Sequence, residues 1–397
     1  MTLAPLRLKK DEDRRLRAGH AWVFSNEVDT VATPLTGFDA GQPVAIEDHA
    51  GRCLGIGYVN PHTLISARLV SRDISQTLSQ SLLVHRLKVA LSLRQRLFQE
   101  PYYRLVFGDS DGLPGLVIDR FGEVTVVQIA TAGMERLKAE IVGALDKVIH
   151  PRAILFRNDS ASREIEGLPS YVEAALGEVP QHVLLSENGV RFEVPLFEGQ
   201  KTGWFYDQRM NRARLPNYVV GRKVLDVFSY IGAWGVQAAV AGAEKVVCVD
   251  SSARAADWAR NNALLNGVSD KLAFMQEDAF EVLRTLRAER EHFDVVIVDP
   301  PAFIKRKKDV KEGTQAYHRL NQMAMQVLSK DGMLISASCS YHLAREELQQ
   351  ILLRSSRHLD RFLQLVEQGA QAPDHPVHPA IPETSYLKVF FSRLLPN

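Results

Sequence analysis

From about residue 191 onward, short apolar runs alternate with amphipathic helical segments, and most of the runs end in an acid or a small polar residue. The strand-like runs are KVLDVF, KVVCVD, KLAFMQED, FDVVIVD, GMLISAS, FLQLVEQ and YLKVFFSRL, with helices centred near 237, 259, 284, 320 and 348. This βαβ alternation constrains the region to a mostly parallel, doubly wound sheet with helices on its faces. No clear helix separates the last two runs, so they are expected to pair as a hairpin, giving seven strands with one antiparallel. In open α/β sheets ligands bind in the crevice outside the carboxyl ends of the strands. The residues at those ends therefore converge on one crevice: Asp226, Asp250, Asp278, Asp299 and Cys339.

The rest of the chain reads as two further domains, as expected for 397 residues. Residues 1–75 form a small β-rich module, with GQPVAIEDHAGRCLGIGYVN alternating around a turn near Ala50-Gly51 and a short helix, DEDRRLRAG, before it. Residues 76–190 form an α+β domain. It opens with an amphipathic helix carrying Leu78, Leu82, Leu83, Leu87, Ala90 and Leu91, and it ends near RFEVPLFEGQKTG, a hairpin leading into the third domain, 191–397.

A net charge of +1 leaves no strong overall field, so an anionic partner must be met by local basic patches. The three cysteines, Cys53, Cys248 and Cys339, have neither metal-ligand nor disulfide-framework spacing, and no metal is expected. With no apolar signal core and no stretch of membrane-spanning length, a reducing cytoplasmic setting is the expectation.

Asp226-Val227-Phe228-Ser229-Tyr230-Ile231-Gly232-Ala233-Trp234-Gly235 lies where the first strand of the third domain turns into a helix. Gly232 and Gly235 permit close backbone approach, but the full dinucleotide fingerprint is missing. An acid ending the strand repels a pyrophosphate and favours a cationic amino-acid group, as in S-adenosylmethionine. Asp250, 24 residues after Asp226, suits a ribose, and Asp278 suits an adenine amine. For any one of these acids a solvated turn is the competing explanation; three at successive strand ends favour the cofactor.

On the substrate side, Asp299-Pro300-Pro301-Ala302-Phe303 follows an apolar strand. The prolines donate no N–H, leaving acceptors suited to the exocyclic amine of a base, and Phe303 suits stacking. Alone, this motif fits base-nitrogen methylation equally well. Cys339, at the end of strand five, adds a different chemistry. A thiolate adding at C6 of a pyrimidine makes C5 nucleophilic toward a methyl donor. Cys248 and Cys53 read as packed, unreactive thiols. Lys305, Arg306, Lys307 and Lys308 follow the Asp-Pro-Pro segment and suit phosphate contact, as do Arg14, Arg15 and Arg17 near Trp22. His375 and His378, among prolines, read as loop structure.

These segments, with GHAWVFSNEV, GDSDGLPGLVIDRFG, FEGQKTGWFYDQRMNR, SASCSYH and DHPVHPAIPETSYLKVF, resemble the ribosomal RNA large subunit methyltransferase I family over essentially the whole chain. The resemblance implies a PUA-like RNA-binding domain, a middle α+β domain and a Rossmann-like S-adenosylmethionine domain. It also implies cytosine-5 methylation of 23S ribosomal RNA with Cys339 as nucleophile. Many other RNA cytosine-5 methyltransferases carry a second cysteine beside the motif-four proline; here DPPAF has none. The family's Gln-Lys-Thr-Gly segment falls on Gln200, Lys201, Thr202 and Gly203, followed by Asp207, Gln208 and Arg209, and is expected over the cofactor. A homodimer is compatible with the sequence, but no motif specifies one.

Overall fold

The computed structural model describes residues 3–397. The first strands, β1 (Ala4–Arg7), β2 (Trp22–Phe24), β3 (Gln42–Glu47), β4 (Cys53–Val59) and β5 (Ile65–Ser71), form a sheet in the order β1-β3-β4-β5-β2. Alternation buries Val44 and Ile46 of β3, and β3 and β4 form the expected hairpin, with Gly51 at φ 82° where an L side chain would be strained. The expected early helix is a single turn, Arg14–Arg17.

A second sheet contains β6 (Tyr102–Phe107), β7 (Leu116–Phe121), β8 (Val124–Ile129), β9 (Ala153–Asn158) and β10 (Tyr171–Leu176), in the order β10-β9-β8-β7-β6. Only β8 and β9 run parallel, and the helix Lys138–Ile149 lies between them in the chain, as a parallel crossover requires. The amphipathic helix expected over 76–100 spans Gln80–Leu97.

The first sheet has a core of its own around Leu6, Val23, Val44, Ile46 and Val59, while Tyr58 and Val70 pack into the core of the second sheet. Tyr58 of β4 is buried, and its hydroxyl donates to Pro114 O at 2.8 Å. A Cβ on Gly133 would lie 2.1 Å from the Tyr58 ring, so only glycine fits there. Residues up to Val183 group into one compact unit together with Pro195–Trp204 and Pro373–Thr384. The last two segments depart from the boundary expected at 191. They are held by buried side chains: Arg157 Nη2 donates to Gly199 O (2.9 Å), Arg94 Nη2 to Asp374 O (2.8 Å), and Asp374 Oδ2 accepts from Arg104 N (3.0 Å). The chain leaves and re-enters this unit through the hairpin β11 (His182–Glu187) and β12 (Val190–Pro195). Its Asn188-Gly189 turn has both residues at positive φ, the pattern of a type I′ hairpin.

The second unit is built on β13 (Lys223–Val227), β14 (Lys245–Asp250), β15 (Leu272–Gln276), β16 (Phe293–Val298), β17 (Leu328–Ser338), β18 (Arg361–Gly369) and β19 (Lys388–Pro396). The order is β15-β14-β13-β16-β17-β19-β18. β13 to β17 are parallel, and β19 is antiparallel to both β17 and β18. The strand order reverses between β13 and β16, which places the topological switch point, and hence the ligand crevice, at their carboxyl ends. Val227, Val249, Val296, Val298 and Leu334 are buried in the core beneath it. Among the described residues no helix is long and apolar enough to cross a membrane.

Candidate active site

β13 delivers Asp226 to the crevice with none of its surface exposed. Its Oδ2 accepts from Gly235 N at 2.8 Å, while Oδ1 is buried with no partner. Burial pushes its pKa up to about 8, with Asp299 and Asp250 adding repulsion. Gly235 is obligatory for packing, since a Cβ there would lie 2.4 Å from Cys248 Sγ. Gly232, at φ 84°, caps the helix Ala233–Val240, and its Cβ would meet Ala259 at 3.2 Å. The connecting turn is strained. Phe228 and Tyr230 hold φ of 67° and 51°, a region bulky side chains rarely enter and which clusters at ligand clamps. Between them Ser229 is buried, its N–H donating to Val249 O.

Asp250 ends β14. Its Oδ2 accepts from Tyr230 N and its Oδ1 from Ser252 N, both at 2.9 Å, so the carboxylate is fixed in orientation with lone pairs to spare. Asp278 is exposed and caps the helix Ala279–Ala288, with Oδ1 accepting from Phe280 N and Glu281 N. The turn explanation therefore accounts for one of its oxygens.

Asp299, after β16, is partly buried. Gln208 Nε2 lies 3.0 Å from both of its oxygens, and Trp234 Nε1 donates to Oδ2 at 3.0 Å. Burial raises its pKa to about 6, helped by repulsion from Asp207 and opposed by these donors and Arg212. Asp207 is buried, its Oδ2 accepting from the Tyr386 hydroxyl at 2.5 Å. Gln208 Oε1 in turn accepts from Asn211 Nδ2 at 2.7 Å.

Cys339 follows β17, partly buried, with Sγ 4.0 Å from Pro300 O. Beside it lies a residue the sequence reading missed. Lys388, in register with Ser338 at the start of β19, is buried, and its Nζ donates to Ser340 O (2.5 Å) and Tyr386 O (2.8 Å). Burial lowers its pKa to about 8, against an opposing attraction from Cys339. A lysine opening the apolar run Val389-Phe390-Phe391 was the available signal. Trp234 and Tyr386 were also missed as partners of Asp299 and Asp207.

Other expected residues sit differently. Thr202 belongs to the first unit, where its buried hydroxyl donates to Asp119 Oδ2 at 2.6 Å. Phe303 does not stand free as a stacking surface. Its ring packs against Tyr317 (centroids 4.8 Å apart), Phe228 and Phe280, at the edge of the core. Arg14 pairs with Asp11, Arg15 with Glu27, and Arg17 with Asp13 and Asp48, and all three side chains remain well exposed. Arg306 pairs with Asp309, while Lys305, Lys307 and Lys308 are exposed.

A reversed-order parallel sheet with an antiparallel seventh strand, a glycine-bearing turn and acids at successive strand ends define an S-adenosylmethionine-dependent methyltransferase. The family model of that description matches residues 159–389, and a PUA-like domain model matches residues 6–72. The curated ribosomal RNA large subunit methyltransferase I of Shigella boydii serotype 18 is 37% identical over 393 residues, 98% of each chain. That of Escherichia coli strain SMS-3-5 is 36% identical over the same share. A methyltransferase solved in complex with SAH is 22% identical, with a TM-score of 0.84 over 98% of this chain and 100% of its own. The chain belongs to the ribosomal RNA large subunit methyltransferase I family.

The cofactor is S-adenosylmethionine. Its chemistry fits the residues present. The unpartnered Asp226 oxygen suits a cationic amine, the fixed Asp250 carboxylate suits ribose hydroxyls, and no basic phosphate ligand is found among the strand-end residues.

Proposed function

We propose that the protein methylates C5 of a cytosine in 23S ribosomal RNA, with Cys339 as covalent nucleophile. The observation that carries this reading is the thiol of Cys339 beside Pro300 O and the buried ammonium of Lys388, in the same unit as the Asp299 carboxylate. A base-nitrogen methyltransferase has no use for a thiol there. The names of the curated relatives support ribosomal RNA as the substrate class.

In this reading Asp226 holds the amine of the cofactor, Asp250 the ribose and Asp278 the adenine amine, with Phe228 and Ser229 lining the turn. S-adenosylmethionine supplies an electrophilic methyl group. The Cys339 thiolate forms a bond to C6 of the ring, and the electron pair displaced toward C5 makes that carbon the nucleophile. After transfer, loss of the C5 proton to a base expels the thiolate and restores the ring. Asp299 orients the ring through N3 or N4, and its raised pKa places a proton within reach of N3. Lys388 stabilises the thiolate electrostatically. Lys305 and Lys307, with Pro300 at the turn, approach the RNA backbone. A flipped or single-stranded base is required, because C5 and C6 are not accessible in a stacked duplex.

The test is methyl transfer from labelled S-adenosylmethionine to protein-free 23S RNA by wild type and Cys339→Ala, followed by nucleoside analysis. 5-Methylcytidine from the wild type alone supports the thiol mechanism. A methylated amine or ring nitrogen, or a fully active Cys339→Ala, moves the reading to nitrogen methylation.

A further inference from the structure

The first unit contains a cavity of about 650 Å³. That volume suits a small organic group rather than an ion. Trp22 and Phe107 line it, with Val117, Gln128 and Asp109. Val117 of β7 and Gln128 of β8 are direct cross-strand partners, so both side chains project from the same face of the sheet. Both are partly buried.

The polar groups limit what the cavity can take. Trp22 Nε1 donates to Asp109 Oδ1 at 2.7 Å, fixing both the indole and the carboxylate. Asp109 Oδ2 and the Gln128 amide have no hydrogen-bonding side-chain or backbone partner among the described residues. The lining carries Asp109 and Glu383, with Asp159 paired to Arg157, against the cation Lys201, which disfavours a phosphate and favours a ligand rich in donors. Asp109 also lines an adjoining cavity of about 380 Å³, whose wall carries Arg72 and Arg86 beside Asp73. The Nε of Arg86 is buried without a partner. An aromatic-walled, acceptor-bearing pocket beside one that offers two guanidinium groups matches a nucleotide, base in the first and phosphodiester toward the second. Sequence-specific recognition of unpaired RNA uses such aromatic stacking together with hydrogen bonds to the base edge.

We propose that the Trp22–Phe107 cavity is a subsite that captures an unpaired guanine of the RNA. Guanine presents adjacent N1–H and N2–H donors to the free Asp109 oxygen and its O6 acceptor to the Gln128 amide. The proposal rests on the RNA reading given above.

The test uses the full-length protein and short labelled oligouridine strands, plain or with one central guanosine, adenosine or cytidine, with binding followed by fluorescence anisotropy. The guanosine strand is expected to bind about tenfold tighter than plain oligouridine, the scale of one bidentate base contact. Val117→Trp, which fills the cavity, and the milder Gln128→Ala should each remove that preference while leaving calorimetric S-adenosylmethionine affinity and the melting temperature unchanged. Equal binding of all strands overturns the subsite, as does a guanosine preference that survives Val117→Trp. Preference for adenosine or cytidine overturns the assignment of guanine. If the wild type methylates 23S RNA yet shows no preference, only the subsite fails. If it neither binds nor methylates RNA, the RNA reading fails with it.

Discussion

At the residue scale the chemistry depends on carboxyl and ammonium groups whose proton affinities burial has changed. The folded-state pKa of Asp226, about 8, lies above its ordinary value of 3.8, so its contribution to stability is full below that value and is lost as pH rises toward 8. Asp226→Asn should therefore flatten the fall in melting temperature between pH 6 and 8 that the wild type shows, as measured by calorimetry across that range. A cation placed against Asp226 favours the ionised carboxylate. Cofactor binding near pH 7 should then release a proton, visible as a dependence of the calorimetric enthalpy on buffer ionisation heat and lost in Asp226→Asn. For Lys388, removal of the ammonium by Lys388→Met should lower kcat about a hundredfold with little change in KM, the scale of deleting one electrostatic stabiliser. In the wild type, activity should fall as pH rises past about 8, where Lys388 loses its proton, and the variant should lack that limb. None of these shifts was legible in the sequence, because burial depends on what the rest of the fold places around a side chain.

At the element scale the site depends on one strand-to-helix turn. Gly232 and Gly235 were read as allowing a ligand to approach, but each also fills a packing requirement: Gly232 against Ala259, and Gly235 against Cys248 and the Asp226 carboxylate. Gly235→Ala is expected to cost about 1–3 kcal/mol, the usual penalty for overpacking a tight core. Because the nearest obstacle is a sulfur, Cys248→Ala should restore part of that loss, and a double-mutant cycle by urea denaturation measures the coupling. The strands of the second unit were legible because each apolar run ends at a turn residue. The positive-φ Phe228 and Tyr230 were not, since nothing in an aromatic residue announces a left-handed backbone. Periodicity located the long helix Gln80–Leu97. The short helix read before Gly19 is a single turn, Arg14–Arg17, where the polar run lacks the apolar stripe needed to hold more.

At the scale of the whole molecule, the chain visits the first unit three times, and the last visit is fastened by a buried acid. Asp374 is fully buried, accepts from Arg104 N and offers its carbonyl to Arg94, which also grips Asp111 through two short hydrogen bonds. Asp374→Ala should destabilise the protein by about 1–3 kcal/mol, the cost of leaving a buried donor unmet, as read from chemical denaturation. Alternation, strand-end acids and a set of specific segments in the sequence alone determined the methyltransferase architecture, the family and the expected cofactor, because local periodicity and strand-end chemistry are written in contiguous residues. Only the tertiary structure decided that Thr202 belongs with Asp119, that Phe303 is held in an aromatic cluster, that Arg14, Arg15 and Arg17 face acids, and that Lys388 lies beside Cys339. Apart from the short-range pairs Arg14–Asp11 and Arg17–Asp13, these pairings join residues that local pattern does not connect, and a side chain's partner is set by the burial and geometry of the folded chain.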